Sequence, residues 1–178
     1  NCVGHGSQCG PLAAEFDGAS IALAPNPVAL SELKRPAAVF RRQTSHAFEF
    51  AAEAPHPGPD SITAITALQS EERFVEVRLE HALSGTVVTV WQQDGKQGSV
   101  VGQEVLGDQE KLLIASSPTE YRFGLSGPQG EHILHRVGHS FLSTEEAGGF
   151  VGVMLGVCHR GPADGPAATF QNVSYQGK

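Results

Sequence analysis

The sequence contains few of the residues on which several common kinds of binding site depend. Its 178 residues include one methionine, one tryptophan, two tyrosines and three cysteines. The 12 lysines and arginines are outnumbered by 19 aspartates and glutamates, and the formal net charge is −7. Since no run of basic residues forms a stripe that could follow a phosphate backbone, nucleic acid is excluded as a partner class.

Long apolar runs are also missing. The longest, residues 150–158, is interrupted by Gly152 and Gly156, and it falls far short of the roughly 20 residues that a membrane-spanning helix needs. The chain is long enough for one well-buried domain and short for two. We therefore expect a soluble protein with one core and no membrane partner.

The three cysteines have different settings. Cys2 and Cys9 frame a short Gly- and His-containing loop, which favours a local disulfide, with a metal site that includes His5 as the open alternative. Cys158 ends an apolar run, as a small buried hydrophobic residue would. Asn172-Val-Ser174 is an acceptor sequence for N-glycosylation. With a first residue that is not methionine, these features predict a secreted, extracellular protein.

Apolar and polar residues alternate with a period of two, which is the pattern of β-strands. In residues 75–80, Val-Glu-Val-Arg-Leu-Glu, apolar side chains face one way and charged ones the other, as in a strand with one wet face. Turn residues such as Asp94-Gly95 separate the short runs. Ten strands are predicted, at residues 38–43, 47–52, 62–68, 75–80, 86–91, 111–115, 120–126, 133–137, 150–158 and 169–175.

This spacing predicts an all-β fold, a two-sheet antiparallel β-sandwich or jelly roll. Residues 1–18 are expected to form an irregular N-terminal arm, and residues 19–178 the sandwich. The run at residues 150–158 has no polar face, so it should be a central strand covered on both sides. Only residues 142–147 have a helical pattern, with Ser143 and Glu146 spaced as a capping box.

Three histidines, His132, His135 and His139, have the spacing of zinc ligands on one helix face. On a strand, however, His132 and His135 would lie on opposite faces and could not converge on one ion. We therefore favour solvated histidines on a hairpin over a metal site.

A glycosidase would need two carboxylates on either side of the scissile bond. Glu76 and Glu80 share a strand face, but four residues of extended chain span about 13 Å, which is too far for a retaining or an inverting pair. Arg78 lies between them, so a solvated face with internal ion pairing is the favoured interpretation.

Sugar-binding sandwiches stack aromatic rings on pyranose faces and bind hydroxyl groups with polar side chains. Trp91, Tyr121 and Tyr175 are the amphipathic aromatic residues available. Arg41-Arg42-Gln43 places Arg41 and Gln43 on one face of a strand. This cluster either anchors a buried ion-pair network or lines a cleft, and the residues alone leave both readings open.

Four segments in register resemble a known family. They are Ser31-Glu-Leu-Lys-Arg-Pro-Ala-Ala-Val-Phe-Arg-Arg-Gln-Thr44 followed by His46 and Phe48, Ser70-Glu-Glu-Arg-Phe-Val-Glu-Val77, Pro118-Thr-Glu-Tyr-Arg-Phe123, and Phe141-Leu-Ser-Thr-Glu145 with Gly148-Gly-Phe-Val-Gly-Val-Met-Leu-Gly156. Over residues 19–175 the chain is similar to the C-terminal domain of family 43 glycoside hydrolases, chiefly β-xylosidases.

The resemblance implies a concanavalin A-like sandwich that accompanies a five-bladed catalytic propeller and is itself non-catalytic. In some members this domain is described as xylan-binding, and in others one of its loops closes over the catalytic pocket. The residues expected to contact carbohydrate are Trp91, Tyr121, Arg41, Gln43, His46, Phe48 and Arg73. Glu15 and Asp17 are the expected ligands if calcium is bound.

We therefore expect a non-catalytic carbohydrate-binding or accessory module, with xylan or a related plant or fungal polysaccharide or oligosaccharide as ligand. A propeller-type hydrolase domain or another protein is the expected protein partner. One alternative is a secreted effector-like or lectin-like sandwich that binds protein. A second alternative is a small jelly-roll glycosidase.

Overall fold

The computed structural model describes residues 14–32, 34–83, 85–108, 110–143 and 152–178, with only the backbone of residues 14–16. These ranges contain a series of antiparallel strands and one 3₁₀ turn, η1 (His139–Leu142). The strands are β1 (Ala14–Asp17), β2 (Ser20–Leu23), β3 (Ala38–Arg42), β4 (Phe48–Glu53), β5 (Ile62–Ser70), β6 (Arg73–Ala82), β7 (Gly85–Asp94), β8 (Gln97–Val105), β9 (Lys111–Ser116), β10 (Glu120–Gly127), β11 (Gly130–Gly138), β12 (Met154–Arg160) and β13 (Ala168–Gly177).

The strands form two sheets, which confirms the predicted two-sheet antiparallel sandwich. One sheet has seven strands in the order β1-β2-β13-β4-β9-β10-β11, and the other has six in the order β3-β12-β5-β6-β7-β8. The core lies between them, where alternate residues of both sheets meet. Phe48, Phe123 and Phe170 of the seven-stranded sheet pack in one buried cluster with Val77 and Leu155 of the six-stranded sheet.

All ten predicted strands are present, although β12 is described only from Met154 onward. It lies between β3 and β5 with both faces buried, as its apolar composition predicted. The predicted Asp94-Gly95 turn is also confirmed, because Asp94 pairs with Gln97 and Gly95 has a positive φ of 62°.

Three strands escaped sequence analysis. The edge strand β8 carries two glycines and leaves most of its residues partly or fully exposed, so its alternation is weak. Strands β1 and β2 have four residues each and form a hairpin in which Asp17 pairs with Ser20. The boundary expected at residue 18 falls inside this hairpin, so Ala14–Asp17 belongs to the sheet rather than to an irregular arm.

The predicted wet face of β6 is wrong. Glu76 and Arg78 are only 6% and 7% exposed, and Arg78 lies against the Trp91 ring, 4.5 Å from its centroid. The loop between β2 and β3 covers the same face, because its Leu30 packs in a small cluster with Phe74. The alternation identified the strand correctly, but it could not show that distant segments cover the charged side.

The first two residues of the predicted helix at residues 142–147 are not part of an α-helix. The 3₁₀ turn ends at Leu142, and Ser143 has extended backbone with φ −80° and ψ 153°. Ser143 donates its side-chain hydroxyl to the carbonyl of Ser140, so it closes the preceding turn instead of capping a following helix; residues 144–147 lie outside the described residues. No described helical segment is long and apolar enough to cross a bilayer.

Gly156 provides a test of how tightly β12 packs in its sheet. A methyl group at this position would overlap the Val39 carbonyl and the Phe40 ring of the neighbouring strand β3. We expect Gly156→Ala to lower the free energy of unfolding by about 1–3 kcal/mol, as overpacking does. Urea titration followed by the fluorescence of the single tryptophan measures the change. Gly152→Ala is the matched control, because a methyl group there meets open space; equal stability of the two variants would contradict the tight packing.

Candidate functional site

A groove lies where the chain crosses from one sheet to the other. After β3 ends at Arg42, residues 43–47 lead into β4 of the opposite sheet. The groove has a volume of about 530 Å³, within the range of small-ligand sites. Most of the residues in its described lining carry a polar group; the lining consists of Gln43, Thr44, Ser45, His46, Tyr121, His139, Ser140, Leu142, Ser143, Gly152 and Val153.

The groove floor is a row of side chains across the seven-stranded sheet. Phe48 of β4 and Tyr121 of β10 both pair with Ser116 of β9, the small residue between them. The Phe48 ring meets Tyr121 edge-on at 6.1 Å and stacks on Tyr175 at 5.4 Å. Tyr121 in turn stacks on the His139 imidazole at 4.6 Å. The aromatic rings therefore form a rigid support beneath the polar lining.

Two tyrosine hydroxyls hold the crossing segment in place. Tyr121 donates its hydroxyl to Gln43 Oε1 at 2.7 Å, and Gln43 Nε2 donates to the Ser45 carbonyl at 2.9 Å. The Tyr175 hydroxyl accepts the backbone N–H groups of Thr44 and Ser45 at 3.1 and 3.0 Å. Because the amide of Gln43 is held at both ends, its orientation is fixed before any ligand arrives.

Ser116 and His139 lie within hydrogen-bond distance of each other at the side of the groove. Ser116 Oγ lies 3.0 Å from His139 Nε2 and donates to the carbonyl of His46 at 2.7 Å. When Ser116 donates to that carbonyl, it can accept a hydrogen bond only from the His139 tautomer that carries its proton on Nε2. Ser116 holds one nitrogen of the His139 ring, and Nδ1 is the other ring nitrogen.

The structure brings together part of the predicted set of carbohydrate contacts. Gln43, His46 and Tyr121 line the groove. Arg41 lies beside it, with its guanidinium 3.9 Å from the centroid of the Tyr175 ring. Because Arg41 and Arg42 are exposed, the structure favours the cleft interpretation of Arg41-Arg42-Gln43 over the buried network.

The remaining predicted contacts lie elsewhere or cannot touch a ligand. Phe48 is fully buried and Tyr121 is 2% exposed, so neither ring can serve as a stacking platform. Trp91 lies on the outer face of the six-stranded sheet and donates Nε1–H to Gln93 at 3.3 Å. Arg73 pairs with Asp94 at 3.3 Å and does not line the groove.

Sequence analysis missed the contribution of Ser140 and Ser143, and it considered His139 only as a metal ligand. These residues follow β11 and meet residues 43–46 only through the fold, so no local motif marks them. The one local signal for these residues is the concentration of polar side chains at the ends of strands. Because loops in general share this feature, it does not identify a binding site.

The interpretation of the histidines of β11 needs a correction. His135 pairs with Phe123 and Ile133 with Gly124, so Leu134 is an extra residue that forms a β-bulge. Gly124 allows this close approach, because a Cβ there would overlap the backbone of His132. The bulge restores His132 and His135 to one face, where they contact the other sheet rather than a shared ion.

Each of these two histidines has its own partner. His132 Nδ1 lies 3.1 Å from Glu104 Oε2, and His135 Nε2 lies 2.8 Å from Gln92 Oε1. No group of three or more potential metal ligands occurs in the described part of the chain. A zinc site at His132, His135 and His139 is therefore not supported.

The other predicted sites are only partly described. Cys2, Cys9 and the side chain of Glu15 lie outside the described residues, while Asp17 is exposed in the β1–β2 hairpin. Asp17 belongs to no described ligand cluster, so the structure adds no support for calcium. Asn172 is exposed at a bulge of β13, with a positive φ of 50°.

Cys158 is a buried free thiol, as its apolar surroundings predicted. Its Sγ lies 3.4 Å from Thr66 Oγ1, and burial raises the pKa of the thiol, which keeps it protonated. A thiol without thiolate character is a poor nucleophile. Cys158 therefore fills space in the outer cluster rather than supplying chemistry.

Neither glutamate of the glycosidase alternative presents a free carboxylate. Glu76 Oε2 accepts from Arg78 Nε at 2.6 Å and also contacts its terminal nitrogen at 2.5 Å. Glu80 accepts the hydroxyl of Thr89 at 2.8 Å. The predicted ion pairing is thus present between Glu76 and Arg78, but in a buried setting.

The two tyrosines should titrate separately. Burial raises the pKa of Tyr121 to about 12. Burial would also raise the pKa of Tyr175, but hydrogen bonds from Thr44 and Ser45 outweigh that effect and lower it below the ordinary value of 10. Phenolate absorbance during an alkaline titration should therefore rise in two steps, and Tyr121→Phe should remove the later one.

The stability of the folded protein should also depend on the ionisation of Tyr121. The folded-state pKa of Tyr121 is above its unfolded value, so its contribution is complete below about pH 10 and is lost as the pH rises towards 12. Circular dichroism recorded in parallel shows whether the chain is still folded at each step. A single step near the ordinary phenol pKa in the folded protein would contradict the described environments.

His135 should make stability depend on pH in a different range. Burial lowers its pKa below the ordinary value of 6.5, so the unfolded chain binds this proton more readily than the folded one. The contribution of His135 is present above about pH 6.5 and is lost as the pH falls below it. Urea unfolding between about pH 7.5 and 5 should show a larger loss for the wild type than for His135→Gln. The exposed His81→Gln is the control, and parallel curves for wild type and His135→Gln would refute the effect.

Comparisons with known proteins place this architecture. Residues 17–176 match the family described as the beta xylosidase C-terminal concanavalin A-like domain. None of the curated proteins matches the chain significantly.

Solved structures share the fold at low sequence identity. The GH43B protein of the Bacteroides ovatus xyloglucan PUL has a TM-score of 0.76 at 17% identity, over 89% of this chain and 33% of that chain. The GH43 BlXynB protein of Bacillus licheniformis has a TM-score of 0.76 at 16% identity, over the same shares. A functionally unknown protein of Saccharomyces cerevisiae has a TM-score of 0.60 at 13% identity, over 95% of this chain and 94% of that chain.

This chain therefore spans about a third of the length of the two GH43 structures. The family match extends over nearly the whole sequence, from the β1–β2 hairpin to the end of β13. The chain belongs to the family of concanavalin A-like C-terminal domains of β-xylosidases.

Proposed function

We propose that this chain is a non-catalytic accessory module that contacts polysaccharide through the groove at the β3–β4 crossing. The observation that carries the proposal is the groove lining, which offers amide, hydroxyl and imidazole groups at fixed positions. Such groups donate and accept hydrogen bonds in the way that sugar hydroxyls require. His139 Nδ1 adds a further hydrogen-bonding group, because the Ser116 contact occupies the other ring nitrogen.

The same lining argues against hydrolysis. Glycosidases need an acid and a base or nucleophile, usually two carboxylates. The described lining contains no aspartate or glutamate, and Glu76 and Glu80 are engaged on the outer face of the other sheet. A role in binding fits these residues better than a role in bond cleavage.

We propose xylan or a related plant or fungal polysaccharide as the ligand. The support is the family description, which names β-xylosidase, and similar structures such as the xylan beta-1,4-xylosidase of Bacillus halodurans. Because the described part of the groove lining has no exposed aromatic platform, affinity should rest on hydrogen bonds and be modest.

The groove could also serve a neighbouring catalytic domain. Similar GH43 chains are about three times as long as this one, and the segment from Arg41 to Phe48 is the one expected near a propeller pocket. In this version of the proposal, the crossing segment forms one wall of that pocket. A binding module and a pocket wall use the same surface, so both place the ligand against Gln43 and His46.

A protein-binding role is the second candidate function. The yeast chain of unknown function is matched over 94% of its length, so the fold also makes up nearly all of another chain. Copurification of a protein partner, with no glycan affinity, would favour this candidate.

We also propose an extracellular setting. It is supported by the exposed Asn172-Val-Ser174 sequence and by the Cys2 and Cys9 spacing. Mass measurement of the protein isolated from its native source tests both features, since a glycan and a disulfide each change the mass.

Calorimetric titration with xylo-oligosaccharides tests the binding proposal. We expect His46→Ala to weaken binding about fivefold, because each lost hydrogen bond is worth about 1 kcal/mol. Gln43→Ala should weaken it at least as much, since it also releases Tyr121. His81→Ala is the matched control, because His81 is an exposed histidine at the other end of the sandwich. Absence of binding to any glycan, or equal loss in the control, would refute the proposal.

A further inference from the structure

Arg41 is a cation beside the groove that has no carboxylate partner among the described residues. Its residue is exposed, and its guanidinium packs on the Tyr175 ring at 3.9 Å. Within the described part of the chain it takes part in none of the ion pairs. The Tyr175 hydroxyl binds Thr44 and Ser45 of the groove lining, so one tyrosine ring separates this charge from the groove.

Two carboxylates of the seven-stranded sheet are paired with other cations. Glu49 of β4 is paired with Lys178, and Glu120 of β10 is paired with Arg136. The groove lining itself contains no carboxylate among its described residues. In a chain with a net charge of −7, this surface is therefore locally suited to an anion.

The six-stranded sheet carries negative charge at the end of the sandwich where the groove lies. Glu71 and Glu72 are exposed in the turn between β5 and β6. They lie at the end of β5 whose Leu68 pairs with Met154, the residue that follows the groove-lining Gly152 and Val153. A preference for anions at the groove must therefore come from direct contact with Arg41, because the net electrostatic potential at this end of the sandwich does not favour an anion.

We propose that the groove takes carboxylate-bearing sugars, uronate-substituted oligosaccharides, with Arg41 as the contact to the carboxylate. A guanidinium presents its N–H groups as a planar fork that matches a carboxylate. Stacking on Tyr175 limits the rotation of that fork before the ligand binds. The inference rests on the proposed function, because Gln43 and His46 bind the neutral hydroxyls of the same oligosaccharide.

The experiment compares two oligosaccharides with the same xylose backbone, one neutral and one carrying a single glucuronic acid. We expect the acidic compound to bind about three- to fivefold more tightly in low-salt buffer, the range of one exposed ion pair. The preference should disappear in about 1 M sodium chloride, where the screening length is about 3 Å. Arg41→Gln should remove the preference, so that this variant binds the acidic and the neutral compound with equal affinity.

Arg35→Gln is the matched control for charge. Arg35 is also exposed, and it precedes β3 at the end of that strand away from the groove. The role of Arg41 would be overturned if the wild type bound the two compounds with equal affinity, or if Arg41→Gln and Arg35→Gln lost the same share of the preference. Either result would leave the proposed binding of neutral oligosaccharides standing. Failure of both compounds to bind the wild type would instead refute the proposed function and this inference with it.

Discussion

The passage of the chain between the two sheets is the constraint on which this structure depends. The two sheets share one core, and the chain passes from β3 of one sheet to β4 of the other through a short crossing at residues 43–47. The crossing cannot bury its own backbone in a sheet, and two tyrosine hydroxyls instead hold it through Gln43, Thr44 and Ser45. A polar groove is the result, because its backbone and side chains must find hydrogen bonds outside the ladders.

Sequence analysis predicted the strands where one physical signal dominated. Residues 75–79 alternate because their strand has an inner apolar face, and β12 is apolar on both sides because it is central. The signal failed at β8, an edge strand with little to bury. It also failed at His132 and His135, where a bulge shifts every later residue by one position relative to the partner strand. A one-residue insertion in a ladder leaves no mark in the alternation.

The candidate site was less predictable than the fold, for a related reason. Gln43 and His46 belong to one segment and were identified, but Tyr121, His139 and Ser143 reach them from distant parts of the sequence. Their positions depend on register across β4, β9 and β10, which composition does not encode locally. Glu76 and Arg78 give the opposite lesson. The alternation predicted that both lie on a solvent-exposed face, whereas other segments bury them as an ion pair. Removing one partner of a buried ion pair strongly destabilises the folded protein, because the remaining charge is left without compensation.

The order of strands affects how the chain can assemble. Strand β13, the last in the sequence, lies between β2 and β4, and β12 lies between β3 and β5. During synthesis on a ribosome, the β1–β2 hairpin cannot pair with β13 until the residues of β13 have emerged. Contacts of such large sequence separation slow folding, and a chain cut before Met154 would leave each sheet in two separate pieces with exposed edges. The stretch from Met154 to the end of β13 is therefore the part that allows the domain to fold as a unit.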